Sequence, residues 1–459
     1  MLVMFLSLTC ITMTIFLIRG QHIITMNAQR EVLTDAAVAI ENDRIIAIDN
    51  FEKLCVSHPN AVIEGNPRAV ITPGMINGHQ HLTGDRLIRS MIPDTIDSQE
   101  AIFGWAVPTH SRHTERDDYL SAVLALNEAL CHGITTTVEA GTVGHPASVL
   151  QAQLAMGTRG TLGSWGWDVE DGPFAGTVSE VLDRQREVMH LTADTPLIDG
   201  WVTLVGHDLM SDELVTAASQ LARDNNTRIT FHISPSSGDT ASYLARTGKH
   251  PVRHLYDLGV LGSHVLLAHA VHLNDDEIDC IVETDTAVAV CPWAYLRLAQ
   301  GITAAGRHDD MLKRGVRISL GCDAENAGDA VDPIRNAALF AGLIRDRHMD
   351  PTLMSAVDAL ALHTIDAARA IGMADKIGSL EVGKQADLVV FGTDGPEWLT
   401  RSTEPILQLI WASSGSAVDD VYVAGKAVVK AKKSTQITGS SFTDIVAEAQ
   451  ERMTFLAGR

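Results

Sequence analysis

"PGMINGHQHL" spans Pro73 to Leu82 and closes a longer run, "VITPGMINGHQH" (70–81), that is β-branched at its start and carries two histidines at its end. Side chains two apart on a strand share one face, so His79 and His81 point the same way. Two imidazoles on one face at a strand end suit a metal ion, provided other strands deliver a third nitrogen and a carboxylate.

Working outward, the run is the first of eight that alternate with helix-like segments. The others are "GITTTVEA" (133–140), "GTLGSW" (160–165), "GWVTLVGH" (200–207), "RITFHIS" (228–234), "HVLLAHAV" (264–271), "TAVAVCP" (286–292) and "RISLGCDA" (317–324). Helical spacing lies between them, as in Asp117–Cys131, Val178–Leu191 and Asp212–Asn225. Strands alternating with helices predict parallel pairing, and eight such units over about 250 residues predict an α/β fold, a (β/α)8 TIM-type barrel over 71–375. The flanks, 14–70 and 376–433, are strand-rich. "GKQADLVVFG" (383–392) reads as a strand and "VDDVYVAGKAVVK" (418–430) as a hairpin. Together the flanks predict one small β-sandwich domain, with a C-terminal helix in 434–459.

Size and charge are compatible with this. The chain has 459 residues, 46% hydrophobic and 20% charged, as in an ordinary globular protein. A net charge of −22 argues against a nucleic-acid or anionic-membrane partner, which would repel it. Cys10, Cys55, Cys131, Cys280, Cys291 and Cys322 form no C-x-x-C pair; a cytoplasmic protein without a disulfide framework is expected. Met1 to Ile18 lacks the positive charge that opens a secretory signal, and it is short for a membrane span. "TIFLIRGQHIITMN" (14–27) reads instead as opening strands, with Met4 or Met13 as alternative starts.

In a (β/α)8 barrel, chemistry sits at the C-terminal strand ends, and six of the eight runs place a polar candidate there. These are His79 with His81, Glu139, His207, His232, His269 with His272 just after it, and Asp323. Three histidines (His79, His81, His232) and one carboxylate (Asp323) make a catalytic-type zinc or iron site with a position left for water. A divalent metal lowers the pKa of water toward about 7. Asp323 can then take the water proton and pass it to a leaving nitrogen, while His269 polarises the substrate or stabilises an oxyanion. Hydrolysis at an electrophilic carbon is the expected reaction.

The sequence resembles the amidohydrolase superfamily, in the branch of cytosine/guanine deaminases, S-adenosylhomocysteine deaminases and triazine chlorohydrolases. "PGMINGHQHL" resembles its P-G-x-x-[DN]-x-H-x-H, and "ALNEALCHGITTTVEAGT" (125–142) its E-x-x-x-x-G-x-T-T segment. "LLAHAVHLNDDEI", "VAVCPWAYLRLAQG" and "ISLGCDAENAGD" resemble its A-H-x-x-H-L, C-P-x-x-x-x-x-L and L-G-[ST]-D stretches, and "GSLEVGKQADL" its closing signature. The resemblance implies the same four ligands, His79, His81, His232 and Asp323, with His269 beside the substrate. It also implies cleavage of a non-peptide carbon–nitrogen bond.

One departure stands out. The branch carries H-x-x-E on the fifth strand, the glutamate moving protons to the substrate, whereas "FHISPSSGD" (231–239) has Pro235 at that place. Glu325 could replace it, Ser234 or Ser236 could hold a water, or the substrate could be an amide, lactam or urea-like group that needs one carboxylate only. No lysine lies between His81 and His232 to bridge two metals; one divalent ion is expected, zinc first, with iron or manganese as alternatives. Glu139 reads as structural or, in a binuclear enzyme, as a bridge.

Trp105, Trp165, Trp167, Trp293 and Tyr295 are candidates to stack on a planar heterocycle. With His207, His269 and Glu325, Trp105 and Trp293 complete the expected substrate contacts. His110, His113, His132, His145 and His254 lack strand-end placement and carry no functional expectation. The partner expected is a small molecule, and the resemblance adds a homo-oligomer. Two other classes stay open: a binuclear hydrolase of carbon–oxygen bonds, and a degenerate barrel that binds metal without turnover.

Overall fold

The computed structural model describes residues 14–83, 85–324 and 327–458. Its N-terminal segment carries continuous apolar runs, 15–18 and 36–40. β1 (Ile15–Ile24) pairs antiparallel with β2 (Val32–Glu41), β2 with β3 (Arg44–Asn50), and β4 (Val62–Gly65) runs parallel to β1. Alternating side-chain direction gives this sheet two apolar faces: Ile18, Val38, Ile71 and Val390 pack on one, Leu17, Ala37, Ala39 and Leu54 on the other.

The run 70–81 is not one strand. It breaks at Gly74 into β5 (Val70–Pro73) and β6 (Met75–Gln80), which belong to different sheets. Pro73 has no N–H to continue a ladder, and the Gly74 N–H donates to Asp387 O at 2.9 Å instead. The sheet of the flanking segments therefore includes residues up to Pro73.

β6 opens a four-stranded parallel sheet continued by β7 (Ile134–Glu139), β8 (Arg159–Leu162) and β9 (Ile198–Gly200). A second parallel sheet runs β10 (Val202–Gly206), β11 (Ile229–Ile233), β12 (Val265–His269), β13 (Ala287–Val290), β14 (Ile318–Leu320) in chain order. Helices such as Glu115–Cys131, Pro146–Met156, Val178–Thr192 and Asp212–Asp224 connect the strands. The run 200–207 also divides: Trp201 separates β9 from β10, and its N–H donates to Leu162 O at 2.9 Å. At the other ends, Gln80 and Asp323 form an isolated parallel bridge, and Asp323 N–H donates to His79 O at 2.9 Å.

After these come β15 (Leu388–Phe391), β16 (Val418–Val423), β17 (Lys426–Lys430), β18 (Lys433–Ser434) and the helix Ser440–Ala457. β15 pairs antiparallel with β5, so both flanks enter one nine-stranded sheet of the described residues. A buried ion pair fastens that sheet to the parallel strands. Arg159 at the start of β8 donates two hydrogen bonds to Asp387, at 2.7 and 3.0 Å. No helix among the described residues is long and apolar enough to cross a membrane.

Candidate metal centre

The strands that carry the candidate ligands approach because glycines permit it. A Cβ at Gly78 would lie 2.2 Å from Ser319 Oγ, so β6 and β14 meet only with hydrogen there. Gly206 has φ +79° and its Cβ would lie 2.0 Å from His232 O, which leaves only glycine between β10 and β11. Beyond the strand ends the backbone turns through the left-handed region at non-glycine residues: His207, Asp208, Ser234, His269, Ala270 and Asp323. Each such position costs of order 1 kcal/mol. Their grouping at the strand ends that carry the polar candidates marks a functional site.

His79, His81, His232, His269 and Asp323 converge there. Asp323 Oδ1 lies 3.7 Å from His79 Nε2 and 3.4 Å from His81 Nε2, and its Oδ2 lies 4.0 Å from His269 Nδ1. His81 and His232 bring their Nε2 atoms to 3.4 Å of one another. Two donor groups lie within 4.8 Å and could hold an ion: His79–His81–His232, and His79–Cys291–Asp323.

Protonation favours the histidines and the carboxylate. Burial holds His79 and His232 well below the ordinary imidazole value and brings His269 down to about 4, so all three are neutral at pH 7. Burial alone would raise Asp323; the hydrogen bond from His81 and the adjacent His269 and His79 outweigh it and hold the carboxyl below its ordinary value. Burial raises the Cys291 thiol well above its ordinary value.

Orientation is set from behind. His232 Nδ1–H donates to Val205 O at 2.5 Å, which fixes the proton on Nδ1 and leaves the Nε2 lone pair facing the cluster. His81 Nδ1 bonds Thr142 Oγ1 at 2.7 Å. His79 is 1% exposed, and neither of its ring nitrogens has a hydrogen-bond partner. A buried imidazole without a partner fits a ligand whose acceptor is a cation. The donor set therefore suits a divalent metal.

His81, His232, His269 and Asp323 line a cavity of about 80 Å³. The π-helix Glu100–Ala106 supplies apolar wall through Ala101, Ile102 and Phe103. His207 lines the cavity with its ring stacked on His232 at 5.0 Å between centroids. Trp165 lines it too, while Trp167 lines an adjoining cavity that shares Phe103 and His207. Tyr295 is buried behind His269, its hydroxyl 3.3 Å from Nδ1.

Two expected substrate contacts lie elsewhere. Trp105 packs with Ile88, Ile92, Ala101 and Ala106, and from the same π-helix Phe103 lines the cavity. Trp293 lines a separate groove against Arg335 and Trp411. Glu325 lies outside the described residues. Glu139 is fully buried, and its carboxylate accepts from Gly141 N–H at 2.5 Å and Leu82 N–H at 3.5 Å. Those bonds make it a brace for the loops after β6 and β7.

Three groups at the site carry no sequence expectation. Thr142 backs His81, and His110 lines the cavity. Asp239 has one oxygen 3.3 Å from His207 Nδ1, and the other accepts from Ser234 N–H at 2.8 Å. Asp239 is seven residues after His232, where no spacing rule looks for it; the turn after β11 brings it back.

Residues 70–428 match the family described as "Amidohydrolase family". Among curated proteins, a 5-methylthioadenosine/S-adenosylhomocysteine deaminase of Symbiobacterium thermophilum is 32% identical over 71% of this chain and 74% of its own length. A deaminase of the same description from Syntrophobacter fumaroxidans is 29% identical over 84% and 85%. Among solved structures, a zinc-bound adenosine deaminase from Xanthomonas campestris superposes with a TM-score of 0.88 at 24% identity, covering 96% of this chain and 98% of that one. Guanine deaminase of E. coli superposes with a TM-score of 0.80 at 20% identity, covering 91% and 99%.

Proposed function

This chain belongs to the amidohydrolase family, and from that premise we propose that it is a metal-dependent aminohydrolase, a deaminase of a small N-heterocyclic substrate. One observation carries the reading: the imidazoles of His79, His81 and His232 and the carboxylate of Asp323 converge beside a cavity lined by His81, His232, His269 and Asp323. His79, His81, His232 and Asp323 are the residues that hold one divalent cation. Zinc is the first choice, supported by the set of three imidazoles and one carboxylate and by the zinc-bound structural neighbour.

Bound there, the cation supplies the Lewis acidity that makes water nucleophilic near neutral pH. Asp323 accepts the proton of the attacking water and returns it to the leaving nitrogen. His269, neutral and backed by Tyr295, orients the substrate atom under attack. The family's proton-moving glutamate is replaced by proline, and we assign its role to His207, which lines the cavity beside His232 and has Asp239 at its Nδ1. Glu139, occupied by two backbone N–H groups, does not bridge a second ion. The two parallel sheets, with β9 and β10 counted as one strand interrupted at Trp201, form one eight-stranded barrel, supported by the Trp201 link at one seam and the Gln80–Asp323 bridge at the other. Residues 14–73 and 376–433 form the β-sandwich domain beside the barrel over 74–375. A cytoplasmic homo-oligomer completes the reading.

The test is metal content per chain by elemental analysis with ammonia release from amino-heterocycles, on the parent, Asp323→Asn and Asp239→Asn. The reading expects one equivalent of metal in the parent, ammonia release lost in Asp323→Asn, and kcat lowered with metal retained in Asp239→Asn. Two equivalents, or no ammonia from any amino-heterocycle, overturns it.

A further inference from the structure

The cavity holds polar atoms that the reaction above does not use. His110 ends the short helix Val107–His110 and lines the cavity. It is 8% exposed, and neither Nδ1 nor Nε2 has a hydrogen-bond partner. Trp165 Nε1, in the same lining, is also buried without a partner. Leaving such groups unpaired costs free energy, so each is a position for a ligand atom.

These side chains are held in place. The His110 ring meets Trp165 edge-on at 5.8 Å and lies 5.5 Å from the His113 ring. His113 Nδ1 is 3.0 Å from Asp118 Oδ1, with both side chains buried. Trp165 stacks flat on Phe174 at 4.4 Å. Rigid partners of this kind make a preorganised subsite.

The subsite's chemistry limits its ligand. Burial keeps His110 well below the ordinary imidazole value, so its neutral ring offers one donor and one acceptor. Trp165 adds a donor. Among the described residues lining the cavity there is no lysine or arginine, so no cationic side chain pairs with a carboxylate or phosphate beside His110. A hydroxyl, which both donates and accepts without charge, matches the imidazole.

We propose that His110 and Trp165 form a specificity subsite for an uncharged hydroxyl carried by the substrate outside its reacting ring. The proposal rests on the reading above in taking this cavity as the substrate site, and not on deamination itself.

The probes are inosine and 2′,3′-dideoxyinosine, which differ only in hydroxyls and have no exocyclic amine to lose. Binding is measured by calorimetry on the zinc-loaded full chain. The parent is expected to bind inosine about tenfold more tightly, equivalent to about 1.4 kcal/mol. His110→Phe, which keeps the ring and removes both nitrogens, is expected to bring the ratio within about twofold while metal content stays the same. Trp165→Phe reads the same ratio and carries the test if His110→Phe fails to fold. An unchanged ratio in the variants, a ratio near one in the parent, or no binding of either probe overturns the proposal. Absence of ammonia release from amino-heterocycles with the discrimination intact sinks the deaminase reading and leaves the subsite standing.

Discussion

Thr142→Val tests whether the centre depends on what stands behind its ligands. Thr142 Oγ1 bonds His81 Nδ1 at 2.7 Å, and both residues are buried. The backing of His232 is a backbone carbonyl, which no substitution removes. Thr142 is therefore the place where ligand orientation can be altered without touching a ligand. Valine keeps the shape and leaves the His81 nitrogen unpaired. An unsatisfied buried polar group costs about 1–3 kcal/mol, and loss of such a partner weakens metal binding about 10- to 100-fold. The two ranges agree, since 1.4 kcal/mol is a factor of ten. Zinc affinity is read by competition with a chromophoric chelator, and circular dichroism confirms the fold. A fold-intact Thr142→Val protein with the parent's zinc affinity refutes the reasoning, because the hydrogen bond would then contribute nothing to the ligand's geometry.

Three further outcomes are expected. Arg159→Leu leaves Asp387 buried, with the Ala424 N–H at 2.7 Å but without its cation, and should cost about 3–5 kcal/mol; adding Asp387→Asn should recover part of this in urea unfolding, and an unchanged midpoint counts against the link. Burial pushes Glu139 from 4.5 up to about 7, so the folded chain keeps a proton that the unfolded chain has released. Stability should then fall as pH rises from about 4.5 to 7, by about 3 kcal/mol at 1.36 kcal/mol per pKa unit. Glu139→Gln, unfolded in urea with chelator at pH 5 and 8, should remove that fall, and an equal pH dependence in both proteins contradicts it. Gly206→Ala forces a side chain at φ +79° against His232 O; the expected product is metal-poor, and full metal content would show that β11 tolerates the displacement.

The candidate ligand set was legible because it obeys local rules. His79 and His81 are two apart on an apolar run, and His232 and Asp323 close later runs, so strand periodicity and chain order suffice to group them. The break at Gly74 was not legible: Val70, Ile71, Met75 and Ile76 are apolar on both sides of it, and only the pairing of β5 with β15 shows that the first part serves another sheet. Trp105 misleads because it is an aromatic near a predicted strand end; the sequence shows no helix there, and in the π-helix Glu100–Ala106 it is Phe103 that lines the cavity while Trp105 packs with Ile88 and Ile92.

The sequence by itself determined the alternation of strands and helices, the residue types at the strand ends, and hence a site of three histidines and a carboxylate. These follow from the period of side-chain direction and from ligand chemistry, which are properties of short segments. Only the tertiary structure decided what surrounds that site. Thr142 reaches His81 across 61 residues and His110 turns into the cavity from a helix. Asp239 folds back from its own turn onto Ser234, with His207 from the neighbouring strand beside it. Such contacts depend on how closely separate elements pack, and that distance is written in no single stretch of the chain.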